Sequence, residues 1–340
     1  MEILQITWFV LWSLLWIMYF ALDGFDLGCG IVMNFIARDE NEKRSIINSI
    51  GPFWDGNEVW LITAGGATFA AFPAAYADMF SWLYVPLFLV LAGLIFRGVS
   101  FELRGKTENK RVWDIFIFAG SLAPAFLLGA VFGNLWASLP VGPAGYSGGL
   151  TGLLNVNGFL TALVFVSFFV MHGLIWIALK TEGEMDQRAY GYSVKSWHAA
   201  FFFFALFLLL LPFRQNPNFS PAGTAPALMA AFYALAAASF LLIRKKLKAG
   251  KLPAAFGSSL AFLIFFFAAS FSGSYPNIIP SSLSPEFNVS VFNSSSGLYT
   301  LKIMTAVALL FVPLVIGYQV WVYRALNHKI NPRKPETLHY

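Results

Sequence analysis

Long apolar runs alternate with short polar segments along almost the whole chain. A bilayer span needs about 20 mostly apolar residues. That ruler predicts nine spans, at approximately 8–36, 54–75, 79–101, 113–137, 153–179, 198–215, 225–243, 256–273 and 300–325. The expected fold is an all-α integral membrane protein, with two four-helix bundles plus one peripheral helix. It reads as a single polytopic domain over 1–340, with a first bundle in 1–137, a second helix set in 153–325 and a tail in 326–340. No sequence repeat is evident.

Composition agrees with this pattern. The chain is 58% hydrophobic and only 11% charged, with a mean hydropathy of +0.67. A soluble domain carries roughly 25% charged residues, so a water-soluble protein is excluded. Charge placement adds an orientation. Of the 22 Lys and Arg residues, 20 lie at or beyond one set of span ends. They are Arg38, Lys43 and Arg44; Arg97, Arg104, Lys106, Lys110 and Arg111; Lys180, Arg188 and Lys195; Arg244, Lys245, Lys246, Lys248 and Lys251; and Arg324, Lys329, Arg333 and Lys334. Only Arg214 and Lys302 stand on the other side. Basic loops stay cytoplasmic during insertion, which puts the N-terminus outside and the C-terminus in the cytoplasm. The pI near 9.2 then needs no nucleic acid, because the charges are scattered over five short segments. Contact with anionic lipid headgroups is a secondary role for them.

Met1-Glu2-Ile3 lacks a basic n-region, and the apolar stretch after it is too long for a cleavable signal. The single cysteine, Cys29, lies inside the first span and reads as a small packing residue. The loops leave no room for a soluble catalytic domain. The longest outside stretch, 274–299, carries Asn-Xaa-Ser sequons at Asn288 and Asn293. The loop around Pro140-Val141-Gly142-Pro143 reads as irregular.

Charge inside the spans is the chemical signal. Asp23 and Asp26 are three apart in the first span, so they share one helix face. Gly24 and Gly28 form a small-xxx-small pair that admits a close neighbour. Counted from Arg38 at about 1.5 Å per residue, Asp26 lies on the order of 18 Å from the cytoplasmic end, with Asp23 nearer the middle. Asp55 and Glu58 repeat the spacing at the cytoplasmic third of the second span. A carboxylate at the bilayer centre costs at least about 2.5–3.5 kcal/mol. Four of them must face the interior and find partners or protons. A row of acids from one face to mid-membrane is what a proton path requires. The plainer reading is that Asp23 or Asp26 caps a broken helix or bonds a neighbouring one. Arg97 and Glu102 read either as counter-charges or as residues snorkelling to the interface, the second reading suiting Glu102 better.

Four histidines exist. His328 and His339 fall in the tail, while His172 and His198 differ in depth by roughly 10 Å at helical rise. A bis-His haem wants its ligands at one level, so no haem or metal site is expected in this chain. Runs such as Phe201-Phe202-Phe203-Phe204 read as lipid-facing bulk or packing. Aromatic walls could also hold a flat quinone.

Two motifs then carry a resemblance. Asp23-Gly24-Phe25-Asp26-Leu27-Gly28 and Gly51-Pro52-Phe53-Trp54-Asp55-Gly56-Asn57-Glu58-Val59-Trp60-Leu61 resemble subunit II of cytochrome bd-type quinol oxidases. Gly65-Gly66-Ala67-Thr68-Phe69-Ala70-Ala71-Phe72-Pro73, Phe96-Arg97-Gly98-Val99-Ser100-Phe101-Glu102 and Gly129-Ala130-Val131-Phe132-Gly133-Asn134 extend it. The dense similarity covers 19–135. The resemblance implies a respiratory complex of the prokaryotic cytoplasmic (inner) membrane that oxidises quinol and reduces dioxygen to water. Haems b and d would sit in a haem-bearing subunit I, with this chain packed beside it and binding no haem. Other implied partners are membrane quinol, lipid and a small single-span subunit, and some members hold a structural quinone in subunit II. Asp55 matches the family acid of a cytoplasmic proton channel, with Glu58, Asp26 and Asp23 behind it. The cyanide-insensitive branch would look the same from this chain. From another class, a proton-coupled membrane transporter would use the same four acids.

Overall fold

The computed structural model describes residues 1–214 and 225–333. Lys334, His339 and the side chain of Arg214 lie outside the described residues. The helices are α1 Glu2–Ile36, α2 Glu40–Ile50, α3 Trp54–Ala71, α4 Pro73–Trp82, α5 Tyr84–Leu103, α6 Lys110–Ala137, a single turn α7 Gly149–Gly152, α8 Val156–Lys180, α9 Glu184–Arg214, α10 Ala225–Lys248, α11 Leu252–Ser274, a short α12 Val291–Ser294 and α13 Leu298–Ala325. Two minimal antiparallel hairpins complete the chain. β1 Val141–Gly142 pairs with β2 Gly145–Tyr146, and β3 Asn277–Ile279 pairs with β4 Val289–Ser290. The first hairpin occupies the loop whose Pro-Val-Gly-Pro run reads as irregular.

Among the described residues, eight helices are long and apolar enough to cross a membrane. The predicted span 54–75 is the one outside that set. Its helix α3 holds 18 residues, opens on Asp55 and Glu58, and stops at Phe72 (φ −132°, ψ 63°). Pro73 follows at the first position of α4, where its missing N–H costs nothing. Helix α2 falls where the span pattern left only a loop. Asp39 caps it, its side chain accepting from the Glu42 N–H at 2.9 Å.

Helix α1 is buried over most of its length, as a helix surrounded by others is. It touches α3, α6, α8 and α11. Around it, α5 packs on α6, α8 on α9, and α10 on α11, with α6 and α8 in contact between the two sets. In lipid there is no water to expel between helices, so close fit supplies the attraction. The tightest approach is between α1 and α8. A Cβ on Gly28 would run into the Phe169 carbonyl, and one on Gly173 would lie 2.5 Å from the Cys29 N. Gly24 faces the Phe169 ring. Cys29 is fully buried, its thiol 3.6 Å from the Gly173 carbonyl oxygen. Above this crossing an aromatic core forms, with Phe20 stacked on Phe267 at 4.3 Å and Trp16 edge-on to Phe132 at 4.9 Å. The Phe201–Phe204 run divides: Phe202 is exposed, whereas Phe204 is buried against Phe240 and Phe262.

Helix α13 stands apart. It touches α1 and α3, and Leu301 is its one buried residue. Polar links define two opposite faces. On one, Arg188 bonds Glu42, Tyr190 donates to the Leu247 carbonyl at 2.9 Å, and Lys180 donates to the Leu326 carbonyl at 2.9 Å. Leu139 bridges Ser281 on the other, where Gln5 also donates to Ser295 at 2.6 Å. The Lys- and Arg-rich helix ends gather on the first face.

Candidate functional site

Three of the four intramembrane acids, Asp23, Asp26 and Glu58, are brought together where α1, α3 and α5 meet. Arg97 is fully buried on α5, and one nitrogen, Nη2, donates both to Asp23 Oδ1 at 2.8 Å and to Glu58 Oε2 at 3.1 Å. The Asp23 side chain is 0% exposed and that of Glu58 19%. Asp23 Oδ2 and Arg97 Nε and Nη1 have no hydrogen-bond partner. The Tyr19 hydroxyl, one turn earlier on α1, feels the charges of Asp23, Arg97 and Glu58 without closing a hydrogen bond of ordinary geometry.

Asp26 is also fully buried, and its partner is Asn57, whose amide donates to Asp26 Oδ2 at 2.7 Å. The carbonyl of that same amide accepts from Gln319 Nε2 at 3.0 Å and from the Tyr323 hydroxyl at 2.9 Å, both on α13. Gln319 Oε1 in turn accepts from Trp60 Nε1 at 2.8 Å. Asn57 therefore ties α1, α3 and α13 together at the acid pair. Asp26 Oδ1 has no hydrogen-bond partner.

Asp55 lies outside this buried cluster. It lines a lateral groove of about 780 Å³ between α3 and α5, with Glu58, Gly98 and Glu102. Glu102 is exposed and close enough for its charge to act on Asp55. Glu58 borders both the groove and the buried Arg97, so it is the acid that connects the two. Gly24 and Gly28 sit behind the acids at the α8 crossing.

A second ionic cluster lies on the Lys- and Arg-rich face. Arg104 clamps Glu40 with two bonds of 2.7 and 2.9 Å and reaches Asp114 through Nε at 2.6 Å. Lys43 bonds the other Asp114 oxygen at 2.7 Å, and Lys110 bonds Glu40 at 2.9 Å. Burial opposes the charge on Glu40, but the bonds from Arg104 and Lys110 prevail and hold its carboxyl below the ordinary range. Sequence reasoning gives these bases a role in topology and at anionic headgroups, and misses the network. It also passed over Asn57, Gln319 and Tyr323, although a Gln within an apolar span is itself a signal of an internal partner.

Among the described residues, His172 and His198 have separate surroundings. His172 Nε2 donates to the Ala21 carbonyl at 3.3 Å, which leaves Nδ1 facing Ser259 Oγ at 2.8 Å, and the ring stacks on Phe256. His198 is exposed on α9. Among the described residues no group of three His, Cys, Asp or Glu stands ready for a metal ion.

Comparison with known proteins gives one family from its family model and its relatives, and a matching fold from a solved structure. The family described as "Cytochrome bd terminal oxidase subunit II" matches residues 4–326. The chain is 37% identical over 345 residues to the cytochrome bd ubiquinol oxidase subunit 2 of Bacillus subtilis, covering 99% of this chain and 100% of that protein. It is 33% identical over 355 residues to the cytochrome bd-I ubiquinol oxidase subunit 2 of Escherichia coli K12, covering 95% and 94%. In fold it is similar to a chain of the bd oxidase from Geobacillus thermodenitrificans, with a TM-score of 0.75 at 17% identity over 96% of this chain and 99% of that one.

Proposed function

The chain belongs to the cytochrome bd terminal oxidase subunit II family, and from that premise we propose that its intramembrane acids form part of a proton-uptake path serving oxygen reduction. It is a multi-pass protein of the bacterial inner membrane and a subunit of a quinol-oxidising respiratory terminal oxidase, in complex with a subunit I partner. In our reading haems b and d belong to that partner, where they supply electron transfer and oxygen binding. This chain supports the partner and carries protons toward it.

One observation carries the proposal: Glu58 lines an open groove beside Asp55 and also shares a buried Arg97 nitrogen with Asp23. Asp55 and Glu102 stand in the groove, Glu58 borders it, and Arg97 joins Glu58 to Asp23. Reduction of dioxygen to water consumes protons, and each carboxyl can hold one and pass it on. Arg97 offsets the charge of two carboxylates, so the row tolerates burial while Asp23 Oδ2 and Asp26 Oδ1 keep a free acceptor each. Asn57 holds Asp26 in register.

The proposal takes the Lys- and Arg-rich face as cytoplasmic, the N-terminus as outside and α3 as the ninth span. Residues 1–137 and 153–325 are then two bundles with α13 peripheral, and 326–340 a cytoplasmic tail. Membrane quinol, lipid, a small single-span subunit and a structural quinone complete the assembly we envisage. A transporter using the same acids has no observation in its favour once the family is known.

The test is quinol-driven oxygen consumption by the purified complex carrying Asp55→Asn, with haem spectra recorded on the same sample. Loss of activity with intact spectra is the expected result. Full activity with intact spectra would reduce Asp55 to a structural acid and remove the entry point of the path.

A further inference from the structure

Beside the link from Asn57 to Gln319 and Tyr323, a second groove of about 430 Å³ opens between α13 and the body of the protein, on the Lys- and Arg-rich face. Its walls are apolar, with Leu22, Phe256, Leu260, Ile316 and Val320 among them. At one end stand two cations, Lys180 and Arg324. No carboxylate lines it.

Lys180 is the unusual member. It is 4% exposed, yet among the described residues it pairs with no carboxylate. Its ammonium donates to the Leu326 carbonyl at 2.9 Å and makes a longer contact of 3.5 Å with Asn327 Oδ1. The rings of Trp176 and Phe53 lie 5.1 and 5.4 Å away. An ammonium has three donors, so one remains. A buried cation without an anion is costly, and the other charge that lines the groove, on the exposed Arg324, has the same sign. The site asks for an anion attached to a long apolar body.

We propose that this groove binds one anionic phospholipid, its phosphate between Lys180 and Arg324 and one acyl chain along α13. A free phosphate would leave the apolar walls unfilled. A zwitterionic headgroup would bring an ammonium to a site with no carboxylate to receive it. A neutral ring headgroup would leave both cations unpaired. The groove volume falls within the range of ligand sites, and α13, with little buried surface of its own, would gain the lipid as filling against α8 and α11.

The experiment uses the whole oxidase complex, purified with its partner, stripped by detergent washing and incubated with phosphatidylglycerol or phosphatidylcholine. Retained lipid is then counted by native mass spectrometry. Wild type is expected to keep one phosphatidylglycerol and to release phosphatidylcholine. Arg324→Gln, at an exposed position, should lower retention about fivefold, and Lys180→Gln by at least as much. Ile316→Trp fills the groove from the outer helix without touching either charge, so it keeps the test open if Lys180→Gln fails to assemble. It too should displace the lipid. Equal retention of phosphatidylglycerol by wild type, Arg324→Gln and Ile316→Trp would overturn the proposal. So would equal retention of both lipids, or a quinone as the molecule that Ile316→Trp expels.

Discussion

Replacing Arg97 with Gln would strand two carboxylates in the interior. At an effective dielectric of about 20, an ion pair at 2.8–3.1 Å is worth roughly 5–6 kcal/mol before desolvation is counted. Removing one partner from a buried pair costs about 3–5 kcal/mol, because the remaining charge keeps its desolvation without its attraction. Each kcal/mol moves the melting temperature of a large chain by about 2 °C, so Arg97→Gln should lower it by about 6–10 °C. Asp23→Asn in the same chain removes one of the stranded charges. The double variant should therefore recover about 1–3 kcal/mol of coupling, melting several degrees above Arg97→Gln. The assay is thermal unfolding of the purified complex followed by tryptophan fluorescence, with all four members of the cycle measured in one detergent. Strictly additive losses would refute the reasoning, since they would mean Arg97 and Asp23 do not sense each other. An Arg97→Gln complex as stable as wild type would do the same.

Other consequences are as direct. Gly28→Ala forces a methyl into the Phe169 carbonyl and should cost about 1–3 kcal/mol or more, read as lost complex on size exclusion, whereas Gly65→Ala meets nothing within 4 Å and should assemble normally; equal yields would contradict the packing described. Asn57→Leu removes a bond to Asp26 and two acceptor sites for α13, an expected loss of about 1.5–3 kcal/mol. Hydrogen exchange should then quicken over residues 315–325, and unchanged protection there would show that Asn57 does not hold the helix. Glu40 has a carboxyl held below its ordinary range in the folded state, so its contribution is complete above the unfolded-state value and is lost as pH falls toward the folded one. Melting temperature against pH should accordingly fall less steeply on the acid side for Glu40→Gln than for wild type, and parallel curves would remove the effect.

What the sequence showed, and what it hid, follows from range. Apolar runs and paired acids are local, so the helices and the shared face of Asp23 and Asp26 were readable from spacing. Arg97 was left between two roles because its partners lie 74 and 39 residues away, and only the fold decides which helix faces it. Asn57 was quoted within a motif yet given no role, since its second pair of partners lies more than 260 residues on. Helix α2 escaped for another reason. A ruler set to bilayer length ignores short amphipathic helices, although Asp39, Glu42 and the Ile46, Ile47 and Ile50 stripe announce one. The break at Phe72-Pro73 was equally visible as a proline but was read through as continuous span.

Helix α13 is fastened at its two ends by hydrogen bonds. Trp8 Nε1 reaches the Leu301 carbonyl and Thr305 Oγ1 near one end, and Asn57 takes Gln319 and Tyr323 near the other. Helix α13, the last of the described helices in chain order, closes over polar groups that the earlier helices supply, among them the amide that holds Asp26. Until α13 arrives, that amide has vacant acceptor positions at the flank of the bundle. The order of synthesis and the order of closure are thus the same.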